Sequence, residues 1–84
     1  MRYQVIIGRS AEKSLARIPE REQEKIYRKL KELSHDPYIG KKLKGDLQDR
    51  HAIRIWPYRI LYCIEKKIVT VFILDIGHRQ GIYK

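Results

Sequence analysis

The first residues of the chain follow a two-residue hydrophobic period. Tyr3, Val5 and Ile7 share one phase, with polar or smaller neighbours between them. This period is typical of a β-strand with one buried face. We therefore predict a first strand over residues 2–7, ended by Gly8.

The period then lengthens to three or four residues, which predicts two helices. Ser10 is a good N-cap for the first helix, and Pro19 ends that helix and suits the start of the second. Pro37 closes the second helix, because the residue before a proline disfavours helical backbone. The apolar faces of the two helices are Ala11, Leu15 and Ile18, and Ile26, Leu30 and Leu33.

Three runs rich in β-branched and aromatic residues follow a basic loop at residues 37–50. The runs cover about 51–55, 58–65 and 68–75, with tight turns at Trp56-Pro57 and Lys66-Lys67. The predicted fold class is α+β in the order β-α-α-β-β-β. Two helices pack on one face of a mostly antiparallel sheet, in a single domain over residues 1–84.

Side-chain alternation divides these strands into two faces. One face is almost wholly apolar and should meet the helices: Ile53, Ile55, Tyr58, Ile60, Tyr62, Ile64, Val69, Val71 and Ile73. The other face takes Arg54, Arg59, Leu61, Cys63, Thr70, Phe72 and Leu74.

Two arginines on the second face suggest a binding site. If Trp56-Pro57 is a two-residue loop, Arg54 lies directly across from Arg59. Like charges in that arrangement destabilise a hairpin, so we expect an anion between the two guanidiniums. The alternative is a solvated face on which the arginine stems cover apolar neighbours.

Charge and composition narrow the range of possible binding partners. Lysine and arginine number 19 against 10 acidic residues, a net charge of +9, and residues 41–84 carry 10 basic against 4 acidic residues. This excess favours a polyanion such as nucleic acid, although small basic proteins without such a partner are common. The single Cys63 fits a reducing compartment, and the N-terminal apolar run is too short for a signal peptide or a membrane span. We expect a cytoplasmic protein with no membrane partner, metal or cofactor.

The C-terminal segment GHRQGIYK adds His78, Arg79 and Tyr83 beside the hairpin. Histidine can shuttle protons near neutral pH, and tyrosine can stack on a base or transfer a proton. Arginines can hold a phosphate and stabilise the extra charge of its transition state. Alternatively, His78 caps the strand and Tyr83 packs at the terminus.

Several segments together resemble the RelE/ParE superfamily of toxin–antitoxin toxins, and most closely its RelE-like messenger-RNA endonucleases. They are KLKGDL (42–47), IRIWPYRILY (53–62), VTVFILDIG (69–77) and HRQGIY (78–83). The resemblance implies a metal-independent enzyme that enters the ribosomal A site and cuts mRNA by attack of the ribose 2′-hydroxyl on the phosphate. It also implies a cognate RelB-like antitoxin, and contact with operator DNA only through the antitoxin complex.

The same resemblance assigns the site. The implied catalytic residues are Arg54, Arg59, His78, Arg79 and Tyr83, and the basic residues expected to bind RNA are Lys41, Lys42, Lys44, Arg50 and Lys84. The sequence departs from the family pattern at Ala52, a position that is often basic. Because a guanidinium stays protonated, Arg54 is a poor general base and the identity of the base stays open.

Two other functions stay open at this point. A ParE-like inhibitor of DNA gyrase has the same fold and needs no RNA-cutting residues. A non-catalytic module that binds RNA, or that serves only in a repressor complex, is compatible with Ala52. Retention of Arg59, Arg79 and Tyr83 favours the nuclease.

Overall fold

A computed structural model describes residues 2–44 and 50–78. Within these ranges the chain forms five strands, two helices and two short 3₁₀ turns. The helices are α1 (Arg9–Ala16) and α2 (Glu20–His35), and the 3₁₀ turns are Pro37–Ile39 and Lys66–Ile68. The strands are β1 (Gln4–Ile7), β2 (Lys41–Lys42), β3 (Arg50–Ile55), β4 (Tyr58–Glu65) and β5 (Thr70–His78).

The strands form one sheet in the order β1-β5-β4-β3-β2. β1 runs parallel to β5, and the other neighbours are antiparallel. Strands β1 and β2 lie at opposite edges of the sheet, and helices α1 and α2 connect them. A long connection of this kind allows β1 to run parallel to its neighbour β5. The α+β fold and the mostly antiparallel sheet are therefore as predicted, whereas the predicted 37–50 loop contains the short strand β2.

The core lies between the helices and one face of the sheet. Its buried residues are Ala11, Leu15, Ile18, Ile26, Leu30, Leu33, Ile60, Tyr62, Val71, Ile73 and Ile76. The predicted apolar stripes of both helices are all in this set. Ser10 is not the N-cap, because α1 begins at Arg9 and its N-cap is Gly8, two residues earlier than predicted. The Ser10 hydroxyl instead lies 3.4 Å from a carboxylate oxygen of Asp75.

A β-bulge changes the phase of β5. Tyr62 pairs with Ile73 and Leu61 pairs with Asp75, so Leu74 is an extra residue without a cross-strand partner. The extra residue reverses the alternation from Ile76 onward, while the Asp75 carboxylate still contacts α1. Ile76 therefore enters the core, which the sequence pattern did not predict.

The β4–β5 connection also differs from the prediction. β5 begins at Thr70 rather than 68, because Val69 adopts left-handed backbone with φ 48° at the end of the second 3₁₀ turn. Val69 consequently belongs to the turn and not to the core-facing set. No helix in the described ranges is long and apolar enough to cross a membrane.

Candidate functional site

The hairpin of β3 and β4 places two guanidiniums side by side. Ile55 pairs with Tyr58 and Arg54 pairs with Arg59, so Trp56-Pro57 is the predicted two-residue loop. In β5 the partner of Arg59 is Gly77, which adds no side chain beside the arginines. The sheet face opposite the helices, here called the open face, therefore carries a pair of adjacent cations at one end.

Further cations share the open face. Lys41 pairs with Ala52, two residues before Arg54 on β3, and therefore lies on the same face. Arg50 pairs with Cys63 and falls on this face as well. On α2, by contrast, Lys25 and Lys29 lie 3.2 Å from Glu22 and Glu32 of the same helix. The open face therefore carries at least four cations, namely Lys41, Arg50, Arg54 and Arg59.

A groove of about 440 Å³ opens beside the arginine pair. Its cationic lining comes from Lys41, Arg54 and Arg59, and no acidic side chain is among the described lining residues. The rest of the lining is uncharged: Ile39, Gly40, Leu43, Ala52 and Ile53. Cations around an apolar floor suit a ligand that has both a phosphate and a flat, partly apolar group, as a nucleotide has.

One wall of the groove is fixed to the core by Tyr62. Its hydroxyl donates to the Pro37 carbonyl oxygen at 2.8 Å and accepts from the Gly40 N–H at 3.1 Å. The Tyr62 ring is fully buried and stacks on His51, with the ring centroids 5.5 Å apart. Burial raises the pKa of Tyr62 to about 12. The phenol therefore stays protonated near neutral pH and keeps its hydrogen bond to Pro37.

His78 does not join the arginines. It pairs with Tyr58, and the two rings meet edge to face with their centroids 6.2 Å apart. Because Tyr58 packs on the helix-facing core, His78 lies on the face opposite Arg54 and Arg59. The bulge at Leu74 is the cause, since an unbulged β5 would put His78 on the open face.

The other predicted site residues fall into two groups. Lys42 pairs with His51 on the alternate phase of β2, and Lys44 is exposed beyond that strand. Neither of them is among the described residues that line the groove. Arg79, Tyr83 and Lys84 lie outside the described residues.

Sequence reasoning missed the uncharged half of the site. Ile39, Gly40 and Leu43 stood in the predicted basic loop, and Tyr62 was assigned to the core alone. Gly40 did carry a signal, since an isolated glycine beside a strand often marks a close backbone approach. A Cβ at this position would lie 2.8 Å from the Ala52 carbonyl oxygen and would also collide with the Tyr62 hydroxyl.

Comparisons with known proteins agree with this fold. Residues 5–83 match the family model of the ParE toxin of type II toxin–antitoxin systems. Toxin RelG of Mycobacterium tuberculosis is 39% identical over 54 residues, which are 63% of this chain and 62% of RelG. Toxin RelE of the same organism is 31% identical over 86 aligned positions, which cover 98% of this chain and 87% of that toxin.

A solved structure shows the same architecture. A chain in the crystal structure of the RelBE2 toxin–antitoxin complex of M. tuberculosis superposes with a TM-score of 0.87 at 31% identity, over 94% of this chain and 93% of that chain. The family match spans nearly the whole sequence, from the first strand to the last. The chain therefore belongs to the RelE/ParE superfamily as a RelE-like toxin of type II toxin–antitoxin systems.

Proposed function

We propose that this toxin is a ribosome-dependent endoribonuclease that cuts mRNA in the ribosomal A site. The observation that carries the proposal is the direct pairing of Arg54 with Arg59 at the edge of a groove that Lys41 also lines. Like charges directly opposite one another destabilise a hairpin, and an anion bound between the two guanidiniums would offset that repulsion. An RNA phosphodiester supplies that anion, and the apolar floor accommodates its neighbouring nucleoside.

The proposed reaction needs charge stabilisation more than a strong acid or base. The ribose 2′-oxygen attacks the adjacent phosphorus, the bond from phosphorus to the 5′-oxygen breaks, and the products are a 2′,3′-cyclic phosphate and a 5′-hydroxyl end. The 2′-hydroxyl loses its proton and the leaving oxygen gains one. Extra negative charge develops on the phosphate oxygens, where fixed guanidiniums are most effective.

The remaining roles follow the family resemblance. We assign Arg79 as a third phosphate ligand and Tyr83 as the ring that stacks on a base beside the cleaved bond. His78 is less suited to proton transfer at this phosphate, because it lies on the other face of the sheet. We therefore expect the general base to be a group other than Arg54 or Arg59, because a guanidinium stays protonated.

The proposed partners are the ribosome with its mRNA, and a RelB-like antitoxin. The similar M. tuberculosis toxin is found in a complex with its antitoxin. The open face here combines cations with partly exposed apolar side chains such as Phe72. An acidic amphipathic segment would neutralise these cations and cover these apolar side chains. Operator DNA is proposed as a partner only of the toxin–antitoxin complex.

A purified translation system tests the proposal. Wild-type toxin should cleave a defined message in the A site and leave 2′,3′-cyclic phosphate ends, with no cleavage when ribosomes are omitted. Intact message at toxin concentrations that bind ribosomes contradicts the proposal and points to a non-catalytic binding module. A gyrase supercoiling assay on the same preparation tests the ParE-like activity.

Single variants then test the site. Arg59→Ala and Arg79→Ala should each lower the cleavage rate by at least ~100-fold, as expected for loss of a donor to a developing oxyanion. Lys67→Ala is the matched control, because it removes one positive charge from the turn between β4 and β5, away from the groove. A loss of only a few-fold in either arginine variant would remove that residue from the site.

A further inference from the structure

We infer that Tyr62 is a positioning residue for the groove, although it lies in the core on the other side of the sheet. Its hydroxyl holds the segment that leads into Lys41, and this segment forms the wall that RNA would contact. The inference rests on the proposed function, since it concerns the same site.

The two hydrogen bonds of the hydroxyl bracket the first 3₁₀ turn. The bond to the Pro37 carbonyl holds the start of the turn, and the bond from the Gly40 N–H holds the residue after it. The side chain that makes these bonds is fully buried, so its position is set by core packing. The loop between α2 and β2 is thereby tied to the buried core.

The segment that Tyr62 holds leads directly into the groove. Gly40 packs between the Tyr62 hydroxyl and the Ala52 carbonyl, with no room for a side chain. The next residue, Lys41, pairs with Ala52, and the Leu43 N–H donates to the Arg50 carbonyl at 2.9 Å. Strand β2 has only two residues. So short a strand offers few ladder hydrogen bonds, and its position depends strongly on the anchor that precedes it.

Removal of the hydroxyl should therefore act on substrate binding through Lys41. In Tyr62→Phe the ring stays in the core, while the Pro37 carbonyl and the Gly40 N–H lose their partner. The wall carrying Lys41 is then held less firmly, whereas Arg54 and Arg59 remain on the intact β3–β4 hairpin. Binding should weaken more than the chemical step, because the arginine pair is unchanged.

Thr70→Val is the matched control. The Thr70 side chain is also buried, and its hydroxyl donates to the Ile68 carbonyl oxygen at 2.8 Å, in the turn before β5. The substitution thus removes one buried hydroxyl and one hydrogen bond to a turn, but that turn does not line the groove. A general loss of stability would affect both variants alike.

The experiment measures cleavage of ribosome-bound message against ribosome concentration. Tyr62→Phe should raise KM about fivefold or more with kcat changed less than about twofold, as expected for a weakened contact outside the reacting atoms. Thr70→Val should change neither. Because Tyr62 acts through Lys41, the combined Tyr62→Phe and Lys41→Ala variant should lose less than the product of the two single effects. Amide exchange at Gly40 should be faster in Tyr62→Phe.

The outcomes separate the inference from the proposed function. An inactive wild-type protein overturns both of them. An active wild-type protein with equal KM in Tyr62→Phe and Thr70→Val, or with unchanged Gly40 exchange, overturns the inference alone. If Tyr62→Phe does not fold, Gly40→Ala displaces the same wall from its other side and should raise KM in the same way. An unchanged KM in folded Gly40→Ala overturns the inference as well.

Discussion

Neutralising Arg54 should make the toxin more stable while it impairs RNA binding. Arg54 and Arg59 are directly paired on the open face, and Arg54 is exposed to solvent. For unit charges about 6 Å apart in water, Coulomb's law gives a repulsion of about 0.7 kcal/mol. Directly opposed like charges in hairpins destabilise by a similar amount, about 0.2–1 kcal/mol. Arg54→Gln removes this repulsion and keeps part of the side-chain stem.

Thermal and urea unfolding at two salt concentrations would measure the effect. At low ionic strength, Arg54→Gln should gain about 0.5–1 kcal/mol, which raises the Tm of a domain this small by about 2–8 °C. In ~1 M salt the gain should largely disappear, because the Debye length is then about 3 Å. Lys13→Gln is the control, since it removes one charge from the last turn of α1. The control should show no gain, because a cation near a helix C-terminus is stabilising.

Two results would refute the reasoning. An Arg54→Gln protein no more stable than wild type at low salt would mean that the guanidiniums splay apart without repulsion. A gain that persists unchanged in high salt would mean that it comes from packing or propensity and not from charge. Either result would favour the solvated-face interpretation of the two arginines over an anion site.

Three further predictions concern the scaffold that holds the site. Gly40→Ala should destabilise the fold by about 1–3 kcal/mol in urea titrations, because the new Cβ would crowd the Ala52 carbonyl; unchanged stability would show that the loop moves freely. Ile60→Ala should cost about 2–5 kcal/mol, since Ile60 is fully buried at the centre of the sheet, and a loss below about 1 kcal/mol would contradict that packing. Wild-type stability should fall as pH rises from about 10 to about 12, because the folded state keeps the Tyr62 proton that the unfolded state releases. The loss has an upper limit of about 3 kcal/mol, and Tyr62→Phe should lack that part of the decline.

The sequence predicted most of what depends on local periodicity. The helix stripes, the core face of the β3–β4 hairpin and the pairing of Arg54 with Arg59 follow from spacing and from one two-residue turn. Strand β2 was not predictable in this way, because two lysines carry no strand pattern and they pair with Ala52 and His51 of another strand.

The face of His78 was also beyond the sequence pattern. An uninterrupted alternation through β5 puts it beside the arginines, but the bulge at Leu74 reverses the phase of the last three residues of the strand. Nothing in the local composition marks Leu74 as the extra residue. A bulge is fixed by pairing with β4 and by the contact of Asp75 with α1, and such long-range contacts are not visible in a local pattern.

The most direct test of the account is a structure of the toxin on a ribosome whose A-site codon carries a 2′-deoxynucleotide at the cleavage position. The missing hydroxyl blocks the attack and traps the substrate. We predict that the phosphate at that position lies between the guanidiniums of Arg54 and Arg59, with its nucleoside over the groove that Lys41 lines. A phosphate bound elsewhere on the toxin, with both arginines turned away from the RNA, would contradict it.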